Sequence, residues 1–163
     1  MPKIQRRVGA KIMSFMENKN NLATTAKEVM VPREQVLTCT MQSALRPILQ
    51  RMDDNNFSHV LIMDDDVVCG IVSEKNILSI AAYANNYAIL TKNVEDIAGY
   101  VSFEQTCLGH FFDYISPDTP LNEVKELFAK IEENKERVDI LIVTEEGRAS
   151  GNFLGIITPW EIL

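Results

Sequence analysis

Cysteine is scarce in this chain, and histidine and tryptophan are scarcer still. The three cysteines, Cys39, Cys69 and Cys107, are odd in number and lack the close pairing of a zinc site. A disulfide framework and a cysteine-rich zinc module are therefore excluded, and the thiols read as reduced and mostly buried. No metal centre is expected at His110, which has no closely paired cysteines or second histidine beside it. Positive charge is also short, with 16 Lys and Arg against 23 Asp and Glu and a net charge of −7. A reader of the nucleic-acid backbone needs a dense positive face, so no nucleic-acid partner is expected. The basic cluster KIQRRVGAK (residues 3–11) reads as a solvated helix face. No apolar run approaches the roughly 20 residues that span a bilayer. The start, MPKIQRRVGAKIMSF, has neither the unbroken apolar stretch nor the small-residue cleavage site of a signal peptide. The expected location is cytoplasmic, with no membrane partner. Low-complexity tracts are missing as well. With 46% hydrophobic and 24% charged residues, the chain fits one compact domain or two small ones with a shared core. No nucleophile with a convergent base is visible, so no catalytic residue is assigned and the chain is not expected to be an enzyme.

What the chain does contain is the same phrase twice. GIVSEKNIL (residues 70–78) returns as GIITPWEIL (residues 155–163). Both share Gly-Ile, a third aliphatic residue, a hydroxyl and a closing Ile-Leu. The segments before each phrase match in kind. QVLTC reads as a brief strand, and SALRPILQRMDDNN as a helix with Ser43 as its cap and Leu45, Ile48, Leu49 and Met52 on one side. HVLIMD and VVCGIVS are aliphatic runs of buried-strand type, and EKNILSIAAYANN is helical. In the second half DYISP is a strand. TPLNEVKELFAKIEENKE is a helix capped by Thr119, with Pro120 at its first position and Leu121, Val124, Leu127, Phe128 and Ile131 as its stripe. VDILIVTEEG and NFLGIIT are strands, and PWEIL opens a helix at Pro159. Each half thus runs strand, helix, strand, strand, helix, an internal repeat too small to be comfortable alone.

Residues 26–163 resemble the cystathionine β-synthase (CBS) domain, which occurs as tandem pairs called Bateman modules. The segments AKEVMVPREQVLT and SHVLIMDDDVVCGIVSEKNIL carry the likeness in the first copy. YISPDTPLNEVKELF and VDILIVTEEGRASGNFLGIITPWEIL carry it in the second. The resemblance implies an α+β fold of two β-α-β-β-α repeats packed through their sheets with pseudo-two-fold symmetry, preceded by an amphipathic N-terminal helix. The implied divisions are residues 1–24 for the N-terminal helix and linker, 25–84 for repeat 1, 85–109 for a helical connection and 110–163 for repeat 2, whose last helix is short. The stretch SFEQTCLGH receives no element. The helix formed by Ile4, Val8, Ile12 and Phe15 is the expected cover for the surface beside that short last helix, from the same chain or from a partner.

The resemblance also implies a function. Family members bind adenosine compounds in clefts between the repeats, where a hydroxyl contacts phosphate and an Asp three residues later holds the ribose. Here Ser73 and Thr158 keep the hydroxyl, at a strand-to-helix turn where free N–H groups also face outward. The Asp is replaced by Asn76 in one copy and Glu161 in the other. Asparagine is neutral, with one acceptor and one donor group, whereas glutamate keeps the charge on a longer arm. Thr158 and Glu161 are thus the preferred pair. His59, with Asp139 taken as its counterpart, and Val31 and Thr38 of the first copy complete the candidate nucleotide-binding set. Trp160 stacks on an adenine or covers core or a dimer seam. Asp64, Asp65 and Asp66 read as a turn, and the methionines as core filler. The resemblance implies a homodimeric sensor of an AMP-like ligand or NAD, acting on an unknown regulated protein. The alternative is a ligand-free interaction module with degenerate clefts.

Overall fold

The computed structural model describes residues 24–84, 87–103, 112–130 and 138–162. The helix expected over residues 4–15 lies outside the described residues. In chain order the elements are α1 (Ala26–Val29), β1 (Val31–Pro32), β2 (Thr38–Cys39), α2 (Leu45–Asn55), β3 (His59–Asp64), β4 (Val67–Ser73) and α3 (Glu74–Ala84). Then follow α4 (Ala98–Val101), β5 (Phe112–Ile115), α5 (Leu121–Ala129), β6 (Ile140–Thr144) and β7 (Phe153–Ile157). Short 3-10 turns occupy Arg33–Gln35, Tyr87–Thr91, Val94–Ile97 and Pro159–Glu161. The fold is mixed α+β with two sheets, one ordered β2-β3-β4 and the other β1-β7-β6-β5. Among the described residues, 33–103 and 149–153 make one compact unit, and 24–32, 112–148 and 154–162 make the other.

In the first unit β2 runs parallel to β3, and β3 antiparallel to β4. Alternation along β3 sends Val60 and Ile62 into a core shared with Leu45, Ile48 and Met52 of α2, whose spacing puts them on one helical face. Cys69 is the extra residue of a β-bulge, falling between the pairs Ile62↔Gly70 and Met63↔Val68. Its thiol donates to the Ile62 carbonyl at 3.4 Å. Cys39 is buried in the same core, and burial first, then the neighbouring Cys69 thiol, pushes its pKa up to about 12 against the opposing pull of Arg51. At the acidic turn Asp65 takes a positive φ of 49°, and Asp66 pairs with Arg33 at 2.5 Å. Turn geometry and an ion pair thus account for two of the three aspartates.

In the second unit β5 runs parallel to β6, from Phe112↔Ile140 to Ile115↔Val143, and every residue of β6 is buried. Ile115, Leu121, Val124, Leu141, Val143 and Ile157 form the core together with Ala26 and Val29 of α1. The turn after β6 closes with the Gly147 N–H donating to the Thr144 carbonyl at 3.1 Å, and Gly147 has φ of 67°.

Each sheet is completed by a short strap, and each strap comes from the other repeat's side of the sequence. Residues 24–32 lie on the second unit: the N–H of Leu121 donates to the Thr24 carbonyl (2.9 Å), that of Ala26 to Thr119 (2.8 Å) and that of Lys27 to Pro117 (2.9 Å). Residues 92–103 repeat this pattern on the first unit. There the N–H of Leu45 donates to Lys92 (3.0 Å), that of Val94 to Ser43 (2.9 Å) and that of Glu95 to Met41 (2.8 Å). Both straps open with a capping box, Thr25 with Glu28 and Asn93 with Asp96. Both then meet a glycine at the sheet edge: Pro32 pairs with Gly155 and Ser102 with Gly70. A Cβ on Gly70 would collide with the Val101 carbonyl, and one on Gly155 with the Val31 carbonyl. The repeated Gly-Ile is therefore where a strap crosses backbone to backbone.

The straps correct the two expected caps. Ser43 and Thr119 are not the N-caps of α2 and α5; the caps are Ala44 and Pro120. The first N–H of each helix is satisfied by a strap carbonyl instead, and this leaves the hydroxyls to bond within their own turns, Ser43 Oγ accepting from the Thr40 N–H at 3.0 Å. The connection expected to be helical holds the short helix α4 and, beyond it, Ser102, which bridges to Gly70 at the first unit's sheet edge. Where a helix was expected to open at Pro159, the described residues show the 3-10 turn Pro159–Glu161.

Candidate functional site

The two strand-to-helix corners carry the repeated phrase and are built alike. At the first, β4 ends at Ser73 and α3 begins. The Ser73 N–H donates to Asn76 Oδ1 at 2.8 Å, and the Asn76 N–H donates to Ser73 Oγ at 3.2 Å. Asn76 Nδ2 donates to the Ile71 carbonyl at 3.1 Å. Ser73 and Asn76 are both buried, Asn76 completely. A neutral amide suits this position because its acceptor and donor groups serve two backbone partners at once. A carboxylate could only accept, and would sit buried above the Ile71 carbonyl.

At the second corner β7 leads into Thr158, which caps the 3-10 turn with Pro159 at its first position. Here Glu161 Oε2 accepts from the Thr158 N–H at 2.5 Å and from Thr158 Oγ1 at 2.6 Å. Thr158 Oγ1 in turn accepts from the Trp160 N–H at 3.4 Å. The extra methylene of Glu161 folds its carboxylate back over the corner, in the capping-box position that Glu28 and Asp96 take in the straps. Glu161 and Thr158 are half-buried, and Trp160 is 71% exposed.

The structure brings Ser73, Asn76, His59 and Thr38 into one unit, and Thr158, Glu161, Asp139 and Val31 into the other. His59 lies across from Ser73 on the adjacent strand, half-buried, with Nδ1 at 2.8 Å from Ser58 Oγ. Thr38 lies across from Leu61, two residues along β3 from His59, and so on the same face. Val31 pairs with Ile156. Asp139 is half-buried just before β6. It is not the positional counterpart of His59. Thr38 opposes Leu61 and Tyr114 opposes Ile142, while Val60 and Leu141 face the two cores. Ile140 therefore corresponds to His59, and Asp139 to Ser58. The runs VLIM and ILIV are aliphatic throughout, and only the face each residue takes fixes the register.

The chain's likeness to known proteins agrees with this geometry. The CBS domain family matches residues 26–83 and 111–163, and the chain belongs to that family. No curated protein is significantly similar to it in sequence. Among solved structures, CBSX2 in complex with AMP is 19% identical with a TM-score of 0.59, over 86% of this chain and 93% of that one. The CBS-domain containing protein ATU1752 from Agrobacterium tumefaciens is 16% identical with a TM-score of 0.59, over 86% and 96% of the two chains. CbpB in complex with c-di-AMP is 15% identical with a TM-score of 0.59, over 93% and 89%. Among the described residues no helix is long and apolar enough to cross a membrane, and no cluster of His, Cys, Asp or Glu could hold a metal ion.

Proposed function

We propose that this chain is a regulatory module that binds an adenosine compound, AMP-like or NAD, and passes its ligand state to a partner protein. It does no chemistry of its own, and works as a cytoplasmic homodimer. The observation that carries this reading is the recurrence, in both units, of a hydroxyl corner at the end of a buried strand, in a family where CBSX2 has been solved with AMP and CbpB with c-di-AMP. Thr158 and Glu161 are the main contacts, Ser73 and Asn76 shape the matching corner, and His59, Asp139, Val31 and Thr38 lie at or beside the strands that lead to them. Ligand binding shifts the partner's affinity by no more than its own differential affinity for the two states of the module.

Thermal unfolding in the presence of AMP, NAD, ATP and adenosine tests the reading. A ligand at 100 times its dissociation constant adds about 2.7 kcal/mol to stability, a shift of several degrees for a chain of this size. No shift with any of the four at millimolar concentration overturns it. A second reading, an interaction module whose corners serve only the fold, is favoured by Asn76, whose amide is fully buried on backbone partners. That reading holds if the same panel is silent while the chain dimerises.

A further inference from the structure

Helix α5 turns Leu121 and Val124 into its core and leaves its other side exposed. Asn122, Glu123, Glu126, Leu127, Ala129 and Lys130 line an open hollow of about 690 Å³ there. Glu126 and Leu127 follow Glu123 by three and four places, so all three stand together on that side. Leu127 is half-buried, packed against the core and lining the hollow as well. Glu123 and Glu126 are exposed and, among the described residues, have no ion-pair partner. The hollow is thus a small apolar seat beside two negative charges, with Lys130 at its far end.

The complement stands in the sequence of residues 3–15, which lie outside the described residues. At helical spacing Ile4, Val8, Ile12 and Phe15 make an apolar row, and Lys3, Arg7 and Lys11 make a basic row along its edge. The chain also arrives from the right place. The Thr24 carbonyl accepts from the Leu121 N–H at 2.9 Å, so residue 24 sits at the start of α5. The eight residues 16–23 extend up to roughly 26 Å, whereas α5, nine residues long, spans about 14 Å. A tether this short holds the segment at an effective concentration on the order of millimolar, far above that of a second copy in dilute solution. We infer that the hollow on α5 is the dock of the chain's own basic segment, residues 3–15: the apolar row lies over Leu127, and the basic row faces Glu123 and Glu126. The contact does not depend on adenosine binding.

Carbodiimide coupling, which joins a lysine amine directly to a carboxylate in contact with it, tests the dock in the full chain. An equal mixture of ordinary and heavy-nitrogen-labelled protein is coupled, digested and read by mass spectrometry. The expected products join Lys3 or Lys11 to Glu123 or Glu126, and both halves of each product carry the same label, as they must within one chain. The single reversals Arg7→Glu and Glu126→Arg leave Lys3, Lys11 and Glu123 in place to couple. Each should lower the yield of links to Glu123 at least threefold, and the chain carrying both should regain at least half of what was lost. Circular dichroism checks that the variants are folded. No such product in the native protein, or a yield that the reversals leave unchanged, overturns the inference. Products that join unlike labels overturn it too, and assign the hollow to a second copy of the chain.

Discussion

Asn76 shows most clearly how one residue can look like a ligand contact in sequence and act as a piece of the fold. Its place three residues after Ser73 matches the position of a ribose-binding Asp, but its amide is closed on the Ser73 N–H and the Ile71 carbonyl. Replacing it with Ala removes both bonds inside a fully buried site and should lower stability by about 1–3 kcal/mol. Urea denaturation checks this. A midpoint equal to that of the native chain would show that water or a neighbouring group takes over both bonds. The hydroxyl, the phrase around it and the substitution at the third place were all legible in sequence. Whether the third residue faces outward or closes on its own turn was not, because S-x-x-N and T-x-x-E are also the patterns of a capping box, and a string of letters does not tell a cap from a contact. The mismatch of His59 with Asp139 has a related cause: a run of four aliphatic residues reads the same in either register.

Elements were easier to read than their partners. Strong periodicity marked α2 and α5, and β3, β4, β6 and β7 stood out as aliphatic runs between turn residues. The second strap was missed, since AKEVMVP and NVEDIAGYVSF share little beyond a cap at the start and aliphatic residues at helical spacing. The signal that could have found it is the capping-box pair itself, Thr25–Glu28 and Asn93–Asp96, at the same place in each repeat. What the straps require of the sheets was written plainly, as Gly70 and Gly155 in the repeated Gly-Ile. Adding a methyl group at Gly155 drives it into the Val31 carbonyl of β1, a backbone atom that cannot rotate away. Gly155→Ala should therefore cost about 1–3 kcal/mol, the range of overpacking a well-filled core. Gly70→Ala should cost a similar amount through Val101. Gly99→Ala, at an exposed position within α4, is the control and should be neutral or stabilising by up to about 1 kcal/mol. Denaturation midpoints for the three variants decide the point. A Gly155→Ala protein as stable as the control would mean that the strap is not held against the sheet edge.

The whole molecule follows from the exchange of straps. The residues that complete the sheet of β5, β6 and β7 stand before β2 in the chain, and those that complete the sheet of β2, β3 and β4 stand after α3. Cutting the chain between the repeats in sequence therefore does not yield two independent domains. A fragment of residues 1–84 keeps β2, β3 and β4, but loses the carbonyls that satisfy the first N–H of α2 and the edge beside Gly70. A fragment of residues 85–163 keeps β5, β6 and β7 but loses β1, the α1 core residues Ala26 and Val29, and the Thr24 carbonyl that satisfies Leu121. Each fragment carries the strap that the other needs. A unit of about 50–60 residues has little stability to spare, and open helix ends with an unpaired sheet edge exceed it. Neither fragment alone should show a cooperative thermal transition by circular dichroism, whereas mixing the two in equal amounts should restore one, with amide protection returning at Leu45, Val94, Ala26 and Leu121 in hydrogen exchange. A fragment that unfolds cooperatively by itself, at the temperature of the intact chain, would show that its strap is an ornament. Failure of the mixture to regain protection at those four amides would show that the straps dock only when covalently tethered.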